Sequence, residues 1–263
     1  MKAFLCVYRH PIISPRDLQI VQENAANNPV LQSFLDHYFD PSSCYDWGDD
    51  PSFFQATKLL CDPRLASWGV CRPPVRRQLR RDDLVIFICG REGPDRGSWD
   101  YCYVGYGTVQ VSLQREEIWQ NDQYATYRPF FNIISRWEND HLIQYEVFER
   151  DHDTFENRCQ AGYILFKPEE TDFNLVNPLP IARYDRGETA ERWYTNDPLV
   201  DRLQTALFLN GTIDRQLNSG TVGYSHVQIP IHTHLKRKAR LAELPGLRPK
   251  LAVISAAVRS RSN

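Results

Sequence analysis

The sequence of 263 residues lacks several features that would assign it to a familiar class. It contains no uninterrupted apolar run of roughly 18 residues, the length that a membrane-spanning helix needs, so no membrane partner is expected. It has seven cysteines but no Cys-x-x-C pair, so a ribbon or treble-clef zinc site is not expected. A net charge of −2 excludes a uniformly basic, histone-like protein.

The usual nucleotide-binding and hydrolase motifs are also missing. There is no G-x-x-x-x-G-K-[ST] phosphate loop, no G-x-G-x-x-G after a strand, no G-x-S-x-G turn and no H-E-x-x-H helix. These absences argue against a common nucleotide hydrolase and against a dinucleotide-dependent dehydrogenase. No cofactor and no metal is expected, and whether the chain is an enzyme stays open.

What the chain does contain is typical of a globular protein. Hydrophobic residues make up 42% and charged residues 24%, and the length suffices for a sizeable core. The odd number of cysteines, several of them within apolar segments, indicates buried thiols in a reducing compartment. The predicted location is therefore the cytoplasm.

The order of apolar segments predicts an α+β fold. Residues 3–8, 84–89, 101–113, 142–148, 161–166 and 221–231 have the length and composition of strands. Helical spacing predicts an insertion near residues 14–60 and a further helix from Asp197 to Leu209. We expect a single domain over residues 1–225 with a mixed, partly closed β-sheet and helical insertions.

Charge is distributed unevenly along the chain. Residues 226–263 carry eight Lys or Arg and one Glu, so they predict a basic C-terminal tail on an acidic body. Such a tail docks on a polyanion, docks on the acidic body of its own chain, or remains solvated.

The most distinctive segment spans residues 67–91. It places Arg72, Arg76, Arg77, Arg80 and Arg81 within ten residues, with Pro73-Pro74 predicted to make the local backbone rigid and extended. Planar guanidinium groups bind phosphate through two parallel hydrogen bonds.

Aromatic residues near this segment complete a predicted nucleic-acid site. The phosphate ligands would be Arg72, Arg76, Arg77 and Arg80, and the base-stacking residues would be Trp68, Trp99, Tyr101 and Tyr103. Lys236, Arg237 and Lys238 of the tail would add affinity that does not depend on sequence. The alternative is that the arginines neutralise acidic residues and the aromatics belong to the core.

The same segment resembles the nucleotide modification associated domain family, type 2. Members carry a small-residue run, Cys-Lys/Arg-Pro-x-Ile/Val-Arg, a Gly-Asp turn and an apolar strand. The corresponding residues here are Gly69–Arg77, Asp82-Asp83 and the strand 84–89, so Asp replaces the usual Gly. The opening strand also fits, and the similarity extends over residues 1–13, 60–112 and 160–182.

This resemblance implies an α+β domain found in bacteria and their phages and linked to making or handling modified nucleobases. A weaker similarity, of architecture alone, is to PUA-like barrels, which include readers of modified bases. It rests on the apolar strand, the hairpin that follows it and residues 104–109. The favoured partner is therefore nucleic acid or a free nucleotide.

Histidines offer an alternative reading. His226, His232 and His234 would share one face of a continuous strand, which is compatible with metal binding or acid–base catalysis. On this alternative the chain is a nucleotide-modifying transferase or hydrolase. A protein-interaction module, with the Arg-rich segment contacting an acidic partner, is the third alternative.

Overall fold

The computed structural model describes eleven stretches of the chain. They are residues 3–9, 66–69, 73–93, 95–128, 133, 135–144, 155–173, 178–188, 192–194, 196–208 and 244–261. The chain divides into two compact units. The first unit comprises Met1–His10, Asp82–Thr108 and Glu170–Asn263, and the second comprises Pro11–Arg81 and Val109–Glu169.

The described elements are nine strands, five α-helices and one 3₁₀ helix. The strands are β1 (Ala3–Arg9), β2 (Ser67–Trp68), β3 (Leu84–Glu92), β4 (Trp99–Leu113), β5 (Ser135–Glu138), β6 (His141–Gln144), β7 (Tyr163–Phe173), β8 (Leu179–Tyr184) and β9 (Arg192–Trp193). The helices are α1 (Pro73–Arg76), α2 (Arg115–Gln120), α3 (Phe155–Gln160), α4 (Pro198–Phe208) and α5 (Leu244–Arg261), and the 3₁₀ helix is Asp122–Tyr127.

Seven of the strands form one sheet. Its order is β1-β3-β4-β7-β2, with β8 added to β4 and β9 added to β8. β1 runs parallel to β3, whereas β3–β4, β4–β8 and β2–β7 are antiparallel. The predicted fold class, α+β with a mixed and partly closed sheet, is therefore confirmed.

The core of the first unit lies around β3. Every side chain from Leu84 to Cys89 is buried, as a continuous apolar run predicts for a strand covered on both faces. Helices α4 and α5 complete this core with Leu203, Leu251 and Ile254. Cys6, Cys89 and Cys102 are buried thiols in this unit.

A bulge in β4 explains why a glycine occupies position 105. The β3–β4 register passes from Phe87 opposite Gly105 to Ile88 opposite Tyr103, so Val104 is the extra residue. Gly105 has a φ of 147°, and a Cβ there would lie 2.0 Å from the carbonyl oxygen of Asp172. Only glycine allows β7 to approach this closely.

Helix α5 occupies the C-terminal part of the predicted basic tail. Its Leu247, Leu251, Ile254 and Val258 are buried in the core of the first unit. The predicted boundary at residue 225, the insertion near residues 14–60 and the strand 221–231 lie outside the described residues, so they stay predictions.

The second unit has its own smaller core. Leu113, Ile118, Ile133, Tyr163 and Leu165 pack together, and Val111, Tyr124 and Tyr127 pack against them. The β5–β6 hairpin turns at Asn139 and Asp140, both with positive φ, as a two-residue hairpin turn requires.

Candidate functional site

The Arg-rich segment begins with a helical turn. Pro73-Pro74 starts α1, and the main-chain N–H of Arg77 donates to the carbonyl oxygen of Pro73 at 3.0 Å. The predicted extended backbone at Pro73-Pro74 is therefore wrong. Proline is well suited to the first turn of a helix, where its missing N–H has no intrahelical partner to lose.

Arg76 points into the protein. Its side chain is fully buried, and its guanidinium donates to the carbonyl oxygens of Gly162 and Arg158, the latter at 3.1 Å. Gly162, with a φ of 81°, ends the turn that follows α3. Arg76 thus fastens α1 to the end of α3, which is a structural contact within the second unit.

The following arginines are exposed. Arg77 donates to the main-chain and side-chain oxygens of Asn157, the former at 3.2 Å. Arg80 donates to the carbonyl oxygens of Leu79 at 2.9 Å and Arg77 at 3.2 Å. Arg81 is exposed at the turn before β3. Arg72, the other predicted phosphate ligand, lies outside the described residues.

These exposed arginines line a cleft of about 840 Å³ within the second unit, called here the basic cleft. Its walls come from α1 and the turn after it, the end of β4, the 3₁₀ helix and the junction of α3 with β7. The lining residues are Arg76, Arg77, Leu79, Arg80, Arg81, Gln110, Val111, Ser112, Gln114, Gln123, Tyr124, Tyr127, Gln160, Ala161, Gly162 and Leu165.

The lining of the basic cleft carries charge of one sign. Among the described residues, no Asp or Glu lines it, whereas three exposed arginines do. A concave surface lined by exposed cations attracts anions.

Tyr127 forms part of an aromatic wall with a buried support. Its ring packs edge-on against Tyr163 with ring centroids 6.2 Å apart. The Tyr163 hydroxyl forms a 2.8 Å hydrogen bond with the Ser67 hydroxyl, and the Arg115 guanidinium lies 5.9 Å from the Tyr163 ring centroid. Tyr127 is therefore positioned by a packed core residue rather than by a loop.

Arg115 is the second fully buried arginine of this unit. It donates to the carbonyl oxygens of Ile133 at 2.8 Å, Arg158 at 3.1 Å, Cys159 at 3.2 Å and Gly69. Burial lowers the pKa of its guanidinium, although nearby groups partly offset the effect. Arg115 holds several segments together beneath the basic cleft but does not line it.

The four predicted base-stacking residues are buried elsewhere. Trp68 is fully buried in the second unit, and Trp99, Tyr101 and Tyr103 are in the core of the first unit. The Tyr103 hydroxyl forms a 2.9 Å hydrogen bond with Ser255, and burial raises the pKa of this phenol. None of these four residues lines the basic cleft.

The remaining predicted site residues lie outside the described residues. These are His226, His232, His234, Lys236, Arg237 and Lys238. Within the described stretches, no group of three His, Cys, Asp or Glu side chains is arranged to hold a metal ion.

The cleft also contains residues that the sequence analysis missed. Tyr124 and Tyr127 stand three residues apart in a 3₁₀ helix, a spacing that places side chains on one face. Gln110, Ser112 and Gln114 alternate at the end of β4, as residues on one face of a strand do. The sequence contains both patterns, but recognising them requires knowing where the 3₁₀ helix and β4 begin and end.

Comparison with known proteins identifies no relative of this chain. No protein-family model, curated protein or solved structure matches this chain. In the described part of the chain, the helices are too short or too polar to span a membrane.

Proposed function

We propose that this protein binds nucleic acid or a nucleotide in the basic cleft and acts in processes associated with nucleobase modification. The observation that carries the proposal is the cleft itself, where Arg77, Arg80 and Arg81 are exposed and no described carboxylate lines the wall. The cleft's volume of about 840 Å³ lies within the range of ligand-binding sites.

Phosphate is the anion that this set of groups fits best. Guanidinium groups offer paired N–H donors that match two phosphate oxygens, and three of them lie within five residues. Tyr124 and Tyr127, both half-buried, add ring surface for a base. Phosphate ligands and aromatic surface in one cleft favour a nucleotide over a simple anion.

The link to nucleobase modification rests on the resemblance of residues 69–89 to that family's motif. The usual Gly-Asp of that family is Asp82-Asp83 here, and Asp82 has a φ of 69°. Glycine is the residue that adopts this conformation at least cost, so the turn is compatible with the family pattern despite the replacement. This compatibility supports the proposal.

The test is a binding titration with single-stranded DNA, duplex DNA and nucleotides. The variant Arg77→Ala/Arg80→Ala/Arg81→Ala is expected to lose binding by about a hundredfold or more, because charge-assisted hydrogen bonds contribute about 1.5–3 kcal/mol each. Fluorescence anisotropy or calorimetry at fixed, moderate salt measures the loss.

A charge-matched control separates local from general effects. Arg96→Ala/Arg186→Ala/Arg202→Ala removes three exposed arginines of the first unit, none of which lines the basic cleft. The control is expected to bind within about threefold of the unmodified protein. Equal losses in both variants, or no loss in the cleft variant with its melting temperature intact, would contradict the proposal.

A further inference from the structure

The basic cleft has a second class of polar group besides its arginines. Four glutamine side chains line it: Gln110 and Gln114 at the end of β4, Gln123 on the 3₁₀ helix, and Gln160 at the end of α3. All four are exposed. A site for inorganic phosphate alone has no use for amide carbonyls, because phosphate offers mainly acceptor oxygens and an amide carbonyl donates nothing.

Three of these amides are available to a ligand. Across the described stretches, the side chains of Gln110, Gln123 and Gln160 make no hydrogen bond within the protein. The Gln114 side chain instead takes part in the capping box that begins α2, in which the Gln114 main-chain N–H donates to the Glu117 carboxylate at 2.6 Å. Gln110 and Gln123 therefore stand on two separate elements that both face the same cleft.

A primary amide carries a donor and an acceptor side by side. The hydrogen-bonding edge of a nucleobase carries the same kind of adjacent pair, and glutamine recognises bases in this bidentate way. The neighbouring Tyr124 and Tyr127 offer ring faces, which bind every base by stacking but do not distinguish among them. The amides supply paired donor and acceptor groups that distinguish one base edge from another.

We propose that the basic cleft binds one nucleotide and selects its base through the amides of Gln110 and Gln123. This inference rests on the proposed function and deepens it. The arginines take the phosphate, the tyrosines stack on the base, and the amides read its edge. The ligand is a single phosphorylated nucleoside, either free or as one nucleotide of a single strand.

The experiment compares ligands that differ by one part at a time. Calorimetric titrations use ribose 5-phosphate, the four nucleoside monophosphates and short single-stranded homopolymers of each base. We expect at least one monophosphate to bind about tenfold or more tightly than ribose 5-phosphate, and the preferred base to exceed the least preferred by about tenfold.

The decisive variant is Gln110→Met/Gln123→Met, which keeps side-chain length and removes the amides. The expected result is a loss of base preference to within about twofold, with the affinity for ribose 5-phosphate unchanged. Gln120→Met is the matched control, since Gln120 is exposed on α2 and does not line the cleft. It is expected to keep the full preference.

The outcomes separate this inference from the proposed function. If nucleotides bind and the cleft-arginine variant loses them, but the Gln110/Gln123 variant keeps the base preference, base reading by these amides is wrong and the proposed function stands. If no nucleotide or strand binds, both fail. If the homopolymers show the same base preference as the monophosphates, the ligand is a nucleotide within a strand. If only the monophosphates show a base preference, the ligand is a free nucleotide. Either result supports the inference.

Discussion

At the scale of single residues, Asp82 carries a conformational cost. Its backbone lies in the left-handed region, φ 69°, in the turn that precedes β3. Side chains with a Cβ are disfavoured there by about 1 kcal/mol relative to glycine, and Asp tolerates the region better than Ala. Because both substitutions remove the carboxylate, we expect Asp82→Gly to be more stable than Asp82→Ala by about 1 kcal/mol in the free energy of unfolding. Urea denaturation measures both.

Arg96 provides the control for this comparison. It is exposed in the β3–β4 loop, and its φ is not positive. At such a position glycine costs more backbone entropy than alanine, so Arg96→Gly should be less stable than Arg96→Ala. If Ala and Gly are equally stable at position 82, the conformational argument for the Gly-to-Asp replacement fails.

The same scale shows where residue types alone were misleading. Arg76 and Arg77 are adjacent and chemically identical, yet one is buried on main-chain carbonyl oxygens and the other is exposed. Trp68 is buried against β7 although it lies beside the arginine cluster. Sequence identifies a segment suited to phosphate, but it does not say which side of a short helix faces inward, because that depends on contacts with residues more than 80 positions away.

At the scale of elements, long apolar strands were predictable and charged helices were not. β3 and β4 follow directly from continuous apolar runs bounded by turn residues. In α5, Leu247, Leu251, Ile254 and Val258 recur at helical spacing, but the surrounding Arg and Lys residues led to the prediction of a basic tail rather than a core helix. The periodicity of the apolar residues was the better guide to the burial of this helix.

This comparison predicts how α5 responds to truncation of single side chains. Leu251 is fully buried in the first unit, whereas Val253 on the same helix is 59% exposed. Leu251→Ala should lower the free energy of unfolding by about 2–4 kcal/mol through lost burial and a residual cavity. Val253→Ala should change it by no more than about 0.5 kcal/mol. Thermal or chemical denaturation measures both changes. If the two substitutions have equally small effects on the free energy of unfolding, α5 does not belong to the core.

At the scale of the whole molecule, the question is which basic residues pair with carboxylates of the chain itself and which bind a polyanion. In α5, Arg248 pairs with Glu170, Arg259 with Asp172, and Arg261 with Asp197 at 2.9 Å. The bonded Arg261 guanidinium lowers the pKa of the Asp197 carboxyl. Among the described residues, part of the predicted basic tail thus docks on acidic groups of its own unit, one of the alternatives that the sequence left open.

Arginines that already pair with carboxylates have less charge to offer a polyanion, so the salt dependence of binding measures which cations take part. If Arg77, Arg80 and Arg81 contact the phosphate of the bound nucleotide and the phosphates on either side of it in a single strand, three contacts give a slope of log K against log salt of about −2. If Lys236, Arg237 and Lys238 also contact phosphate, as the sequence predicts, the slope becomes about −4.

We therefore expect a slope of about −4 for the unmodified protein and about −2 for Lys236→Ala/Arg237→Ala/Lys238→Ala, measured with one oligonucleotide between low and moderate salt. The comparison is internally controlled by Arg248→Ala, since Arg248 is held by Glu170 and its removal should leave the slope unchanged. A slope that is the same in the tail variant and the unmodified protein would remove residues 236–238 from the interface. The affinity would then be assigned to the exposed arginines that line the basic cleft.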